Sequence, residues 1–504
     1  MEVKPSLFPT FVLISGFPAA ITDGQAILIC GTTDRRDERI HRDTLLRYPK
    51  ESSAPEAYLD PTTWPTANMN DTTFENHTHL PIAIVGGGLG GLALAIGLIR
   101  HGVNVHIYEA SPKFSEVGAG VTFGANATKA LHLINPRLLE GFMKHATFNV
   151  DPERNNTFNT IRWGMDEKRK DGHKAGDFAF HQDDKKQHDG KLAGLRMRGR
   201  IHRARLMDEM VALLPEGVTS FNKYFDNVHD AGDGVLELRF ADGTIALASA
   251  VVGCDGIKSK VRQHVCGSNV QAKYAGECAF RAMVPGDEAR NALGNDRALN
   301  SNLYCGYGAY VVTYPVEHGE FINMVAIPQD GPSVGWDQDD WTVPTSAEEI
   351  RERFKDWYPP LIELIARHHL PSKWALFTLQ HDAPYSYGRI CLLGDSAHAT
   401  TPHMGAGAGM AMEDAYILSR LIAFGGSAAN LEAAFQSYDV VRRPRTQGCV
   451  KRSLDAALAY DFMFDGVGDN MSNLEEMLDE SFQWLWHEDL EAELRSAQQL
   501  LRGC

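Results

Sequence analysis

The chain has 504 residues, 43% hydrophobic and 23% charged, and its 49 Lys plus Arg against 65 Asp plus Glu give a formal charge of −16. That length supports two or three domains with a large core, and the acidic balance argues against nucleic acid or an anionic membrane as a main partner. The eight cysteines (Cys30, Cys254, Cys266, Cys278, Cys305, Cys391, Cys449, Cys504) show no CxxC spacing, so reduced thiols in a cytoplasmic protein are expected.

Residues 8–30 come nearest to a signal peptide, but Pro9, Pro18 and Asp23 interrupt them and the positive lead is Lys4 alone. No apolar run approaches the ~20 residues that a bilayer requires. Residues 1–80 otherwise carry Pro, Thr, Asn and charge without periodicity and read as a disordered leader. A start at Met69 is the simpler account, with residues 1–68 a gene-model extension.

Ile82 to Val85 predict a buried parallel strand, and Gly86, Gly88 and Gly91 supply a GxGxxG turn into an apolar helix ending near Arg100. In such a turn the first glycine permits the bend, the second lets backbone approach a pyrophosphate, and the third lets helix lie on strand. Val103 to Tyr108 predict the second strand, which ends at Glu109. A carboxylate there accepts from a ribose 2′-hydroxyl and repels a 2′-phosphate, so the adenosine of FAD or NAD fits and that of NADP does not.

Further along, Glu116 to Asn126 is a glycine-bearing loop, and the polar stretch 166–194 reads as a solvated hairpin or loop. His202 to Gly217 predicts a helix with Arg203 in its first turn, where the dipole disfavours a cation unless an anion such as a flavin pyrophosphate lies opposite. A hairpin turning at Asp242-Gly243 leads into the strand Ala250 to Gly253, which rejoins the first sheet and ends at Asp255-Gly256. Alternation from Cys278 to Ile327 predicts a second, antiparallel sheet as the substrate platform. Ile390 to Leu393 leads into Gly394-Asp395, a helix follows over Gly407 to Phe424, and 472–501 is an amphipathic C-terminal helix with Trp484 and Trp486 as core anchors.

The fold class expected is α/β: a Rossmann-like FAD-binding domain interleaved with an antiparallel substrate sheet, followed by C-terminal helices. The segments are a leader (1–80), the FAD-binding domain (81–270, with 166–194 inserted), the substrate sheet (271–385), the rest of the FAD-binding domain (386–425) and a helical region (426–504). Gly306-Tyr307-Gly308 lacks the third glycine and the helix of a second dinucleotide fold. His398 and His403 lack the HExxH spacing, and no metal is expected.

GGGLGG with Glu109, then CDGIKSKVR, then GDSAHATTPHMGAGAGMAMEDAYIL together resemble the single-component FAD-dependent aromatic hydroxylases, over roughly residues 81–490. The salicylate hydroxylase-like branch, with its fungal relatives acting on phenolic polyketides of secondary metabolism, is the most similar. Met404 departs from the glutamine that many salicylate hydroxylases carry. The resemblance implies FAD as cofactor, with NAD(P)H docking transiently on the flavin face, O2 as co-substrate and a small aromatic substrate; it leaves room for a homodimer.

By the same resemblance Asp395 binds a flavin hydroxyl, backbone N–H groups from Gly405 to Ala408 face the N1/C2 edge of the ring, and Pro402 flanks it. Thr122 and Arg203 are further cofactor contacts. Asp255 is either the acid shared between flavin and pyridine nucleotide or a turn residue at a strand end. The reaction implied is attack of an electron-rich ring on a flavin C4a-hydroperoxide, helped by ionisation of the substrate phenol. Arg281 and Tyr314 match the positions that hold the phenolate. A flavin-dependent halogenase is an alternative, but its WxWxIP motif is missing; a non-enzymatic flavin-binding protein is another.

Overall fold

The computed structural model describes residues 80–114, 120–169, 172–185, 198–331, 334–367 and 372–503. The expected leader, apart from Leu80, and the start at Met69 lie outside the described residues, as does the loop 115–119. Ile82–Val85 pairs in parallel with Val105–Tyr108 on one side and Ala250–Gly253 on the other, and Ile390–Leu392 adds beyond the latter. Thr219–Ser220 and the antiparallel Ser386–Tyr387 complete six strands. The central strands are continuous apolar runs because both faces are covered; Ile82, Ala83 and Ile84 have no exposure.

The glycine turn obeys local sterics. Gly86 adopts φ +106°, and a Cβ there would collide with the Cys254 carbonyl; one on Gly91 would collide with the Gly86 carbonyl oxygen. The helix Leu89–Arg100 is thereby seated on its strand and packs against Gly407–Gly425. The hairpin Val235–Phe240 with Ile245–Ala248 turns at Asp242-Gly243 and joins Phe225–Gly232 in a separate three-stranded sheet.

The second sheet is larger than alternation between Cys278 and Ile327 predicts. Eight strands run in the order Thr342–Pro344, Ser372–Thr378, Lys273–Pro285, Phe321–Pro328, Ala309–Val316, Asn302–Gly306, Thr157–Trp163 and Phe178–Asp183. Thr157–Trp163, expected within the cofactor domain, pairs in parallel with Asn302–Gly306. Phe178–Asp183, expected in a solvated loop, pairs antiparallel at the edge. Thr157–Trp163 is buried along its length and needs a cover on both faces, a demand no local pattern near 166–194 reveals. Helices Gly286–Ala298 and Pro359–Ala366 cover one face, and the other meets Leu431–Tyr460 and Met471–Trp486.

The tail expected as one helix is two, Met471–Trp486 and Leu490–Gly503. Trp486 is an anchor in the core against Phe158 and Phe482. Trp484 is only half-buried, with Arg445 and Arg452 over its ring. Neither the sequence periodicity nor a motif points to the ion network that joins these helices. Arg442, with no exposure, donates through Nε to Asp414 (2.8 Å) and through Nη1 to Glu493 (2.9 Å), and its Nη2 lies 2.8 Å from Glu413. Arg445 donates to both Glu413 oxygens (2.7 and 2.8 Å). Asp414 also accepts from the Gly394 N–H (3.2 Å) and lies 2.6 Å from His398 Nε2.

Although burial opposes it, His398 and Arg442 hold the Asp414 carboxyl down to about 2. A depressed carboxyl stabilises the fold fully above its ordinary pKa of about 4 and loses that contribution as pH falls toward 2. Asp414→Asn, which leaves Arg442 short of one anion, is expected to cost about 3–5 kcal/mol in urea unfolding at pH 7. The loss relative to the unaltered protein should narrow as pH is lowered from about 4 toward 2; an unchanged urea midpoint at neutral pH would show that the network carries no stability.

Candidate active site

A cavity of about 400 Å³ lies where the carboxyl ends of the parallel strands face the eight-stranded sheet, the position at which open α/β sheets bind ligands. Two long helices begin at it, Leu89–Arg100 and Gly407–Gly425, and neither has a side chain capping its first N–H groups. Uncapped helix starts present orphan N–H donors and a positive dipole end to an anion. Gly88 lies at the cavity edge, and a Cβ there would meet nothing within 4 Å. Its place in front of the helix start is the space a pyrophosphate requires, and the residues present fit a dinucleotide.

Of the residues singled out from sequence, Gly88, Thr122, Arg203, Arg281, Tyr314, Asp395, Pro402, Gly405 and Ala408 all line this cavity. Asp395 is exposed to it. Gly86 and Gly91 shape the turn from behind. Glu109 binds the turn itself: its Oε2 accepts from Gly87 N–H (2.7 Å) and its Oε1 from Ser111 N–H (2.8 Å), so a ribose hydroxyl would have to share acceptors already in use. Asp255 is engaged with the turn that follows its strand. Its carboxylate accepts from Ser259 Oγ (2.6 Å), Lys260 N–H (2.8 Å) and Val261 N–H (3.2 Å), while its neighbours Cys254 and Gly256 line the cavity. Burial raises its carboxyl, which those bonds oppose.

Tyr314 and Arg281 share the cavity but differ in what they can still bind. The Tyr314 hydroxyl donates to the Gly120 carbonyl (2.9 Å), so its one proton is committed to the strand that carries Thr122. Burial raises it, against the pull of Arg281 and Arg200. The Arg281 guanidinium lies over Trp374 at 4.8 Å, and its buried Nε has no hydrogen-bond partner among the described residues. Burial lowers its pKa, with Arg203 adding to the effect.

Three lining groups were not legible as site residues: Arg200, Tyr310 and His403. Arg200, pulled down to about 10 by burial, is tied to the Phe158 carbonyl and Asn149 Oδ1 and has a structural task. Tyr310 could have been found, because period-2 alternation puts Tyr310, Val312 and Tyr314 on one face, and all three line the cavity. Met404 is buried in the core and is not a lining residue. Trp484 and Trp486 do not line the cavity either.

A family model described as an FAD binding domain matches residues 218–453. A 6-methylsalicylate 1-monooxygenase of Aspergillus terreus is 37% identical over 433 residues, covering 84% of this chain and 92% of that protein. The chain belongs to the FAD-dependent monooxygenases related to salicylate hydroxylase. A salicylate hydroxylase of Pseudomonas putida is 35% identical over 436 residues, covering 84% of this chain and 95% of that one. The solved structure of a salicylate hydroxylase substrate complex superposes with a TM-score of 0.72 at 29% identity, over 83% of this chain and 98% of that chain. As a member of these monooxygenases the chain is an enzyme with FAD as its cofactor. No described helix is long and apolar enough to cross a membrane.

Gly88→Ala separates cofactor binding from folding. Its backbone (φ −72°, ψ 179°) suits alanine and the added methyl has no protein neighbour, so thermal stability of the flavin-free protein should stay within about 1 kcal/mol of the unaltered chain. FAD retained through purification should fall sharply. Full retention would mean that the phosphates do not pass over Gly88.

Proposed function

We propose that this monooxygenase uses NAD(P)H and O2 to hydroxylate a phenolic ring, either a salicylate-like acid or a polyketide phenol. The observation that carries the reading is Arg281: a cation on the wall of the cavity whose buried Nε has no hydrogen-bond partner among the described residues. Bound FAD supplies the reducing and oxygen-activating chemistry. The chain's own residues must hold the ring, keep its oxygen anionic and exclude water.

Arg281 stabilises the phenolate, since a guanidinium stays charged even where burial lowers its pKa. The strand faces around it are apolar, with Val312, Val325 and Ile327 toward the ring, which strengthens each charge interaction by keeping water out. Tyr314 acts through the backbone, holding Gly120–Phe123 and hence Thr122 against the cofactor. Asp395, Arg203, Pro402 and the helix start at Gly405 to Ala408, which all line the cavity, would hold the flavin when it is bound. Glu109 and Asp255 serve it through the turns they hold.

Substrate-stimulated NAD(P)H oxidation across salicylate, 6-methylsalicylate, resorcinols and orcinol-type aldehydes, followed by product mass, is the direct test. A gain of one oxygen in a phenolic product is expected, and its absence throughout the series would remove the reading. Arg281→Ala should keep FAD and lose about 2–4 kcal/mol of transition-state stabilisation, roughly 30- to 1000-fold in rate, with peroxide released by uncoupled turnover. Tyr314→Phe should weaken FAD binding and leave the rate at saturating FAD within about fivefold. If Arg281→Ala forms product at the unaltered rate, the phenolate assignment fails.

A further inference from the structure

An arginine on a cavity wall has to be held in place, and Arg281 is not held by an acid. The groups that act on its charge among the described residues are Tyr314, Tyr310 and Arg203. Its support is a ring. The guanidinium carbon lies 4.8 Å from the centroid of Trp374, inside the range over which a ring quadrupole attracts a cation.

The sheet dictates this contact. Trp374 pairs directly with Ala279 across the ladder between Lys273–Pro285 and Ser372–Thr378, and Arg281 follows Ala279 by two residues on the same face. The arginine is therefore a diagonal neighbour of the indole, a separation that long and aromatic side chains bridge. Ala279, fully buried, sets only a methyl group against the ring. The indole is itself oriented: its Nε1 donates to Ser372 Oγ (3.0 Å), and it packs against the cluster that holds Leu376 and Ile327.

A carboxylate and a π face hold a guanidinium differently. The carboxylate takes up N–H groups and cancels the charge, as Glu413 does for Arg445, which also lies 4.8 Å from a ring, that of Trp484. A ring attracts the face of the guanidinium and leaves the in-plane N–H donors for another acceptor. Arg281 lines the cavity with a buried Nε that has no hydrogen-bond partner among the described residues. Trp374 thus fixes a cation without spending its donors.

We propose that Trp374 is a positioning residue for hydroxylation that acts through Arg281: its ring fixes the guanidinium against the cavity and so sets where the anionic oxygen of the substrate sits. The inference rests on the monooxygenase reading above and on the place of Arg281 in it. Trp374 does not line the cavity, so its effect has to pass through the arginine.

A double-mutant cycle separates this role from packing. Trp374→Leu, Arg281→Ala and the double variant, each loaded with FAD, are titrated with salicylate, 6-methylsalicylate and resorcinol by the change in flavin absorbance. Turnover is followed as oxygenated product and peroxide per NAD(P)H consumed. Trp374→Leu should keep its flavin, bind the salicylates about tenfold more weakly and lose about tenfold in kcat/KM, with more peroxide released. In the Arg281→Ala background the same substitution should change either quantity by less than about twofold. Trp374→Phe, which keeps a ring, should stay within about threefold of the unaltered protein. Trp374→Met is a second variant without a ring and carries the expectation of Trp374→Leu should that one not fold. Equal losses in both backgrounds would make Trp374 merely structural and overturn the proposal, as would a Trp374→Phe variant as impaired as Trp374→Leu. Failure of all three probes to bind the unaltered protein would overturn it too, since Arg281 would then have no anion to hold. If the unaltered protein binds the probes but oxygenates none, the monooxygenase reading fails, while the binding cycle still decides whether Trp374 acts through Arg281.

Discussion

The structure depends on a set of ion pairs centred on the fully buried Arg442, Glu413 and Asp414. Arg442 and Arg445 project from Leu431–Tyr460 onto Glu413 and Asp414 of Gly407–Gly425, and Arg442 continues to Glu493 in the last helix. Burying such charges costs several kcal/mol each, and only a complete set of partners offsets it. Here the set is close to complete: Asn126 donates to Glu413 (2.6 Å), and Asp414 serves His398 and the Gly394 N–H as well as Arg442. The consequence reaches the active site, because Gly394 and the helix beginning at Gly407 are both part of the cavity wall. The C-terminal helices are thus fastened to the cofactor side of the molecule by directional bonds as well as by apolar packing.

Around the cavity, positive charge is arranged by how far each cation's bonding capacity is used. Arg200, Arg203 and Arg281 all line it, yet Arg200 is tied to a backbone carbonyl and a side-chain amide while the buried Arg281 Nε has no hydrogen-bond partner among the described residues. Two helix starts add partial positive charge from the opposite direction. The cavity wall is therefore positive on two sides, suited to an anionic cofactor. Apolar strand residues between these groups keep the local dielectric low, where charge complementarity counts for most.

The eight-stranded sheet adds a second kind of chemistry on the same wall. Its regular alternation sends Tyr310, Val312 and Tyr314 inward, and a slip near Glu277 sends an acid into the core behind them. Regular pairing builds part of the cavity lining, and the irregularity supplies the buried carboxylate.

Much of this was legible from local pattern. The glycine turn, the strands Ile82–Val85 and Ala250–Gly253, the hairpin at Asp242-Gly243 and the helix after Gly407 follow from sterics and periodicity within a few residues, and those rules act on the isolated chain. The convergence of Arg203, Thr122, Arg281, Asp395 and Pro402 on one cavity was implied by the family resemblance rather than by local pattern. The last two strands of the large sheet, Thr157–Trp163 and Phe178–Asp183, the division of the tail into two helices, and the partner taken by the Tyr314 hydroxyl were not legible. Neither were the Arg442 network and the placement of Glu277 beside His403, which join residues from 28 to well over 100 positions apart. The sequence alone determined the cofactor motifs and the local elements. Tertiary structure decided which polar groups are satisfied by one another and which remain open to a ligand, since that depends on what lies across a cavity or a core.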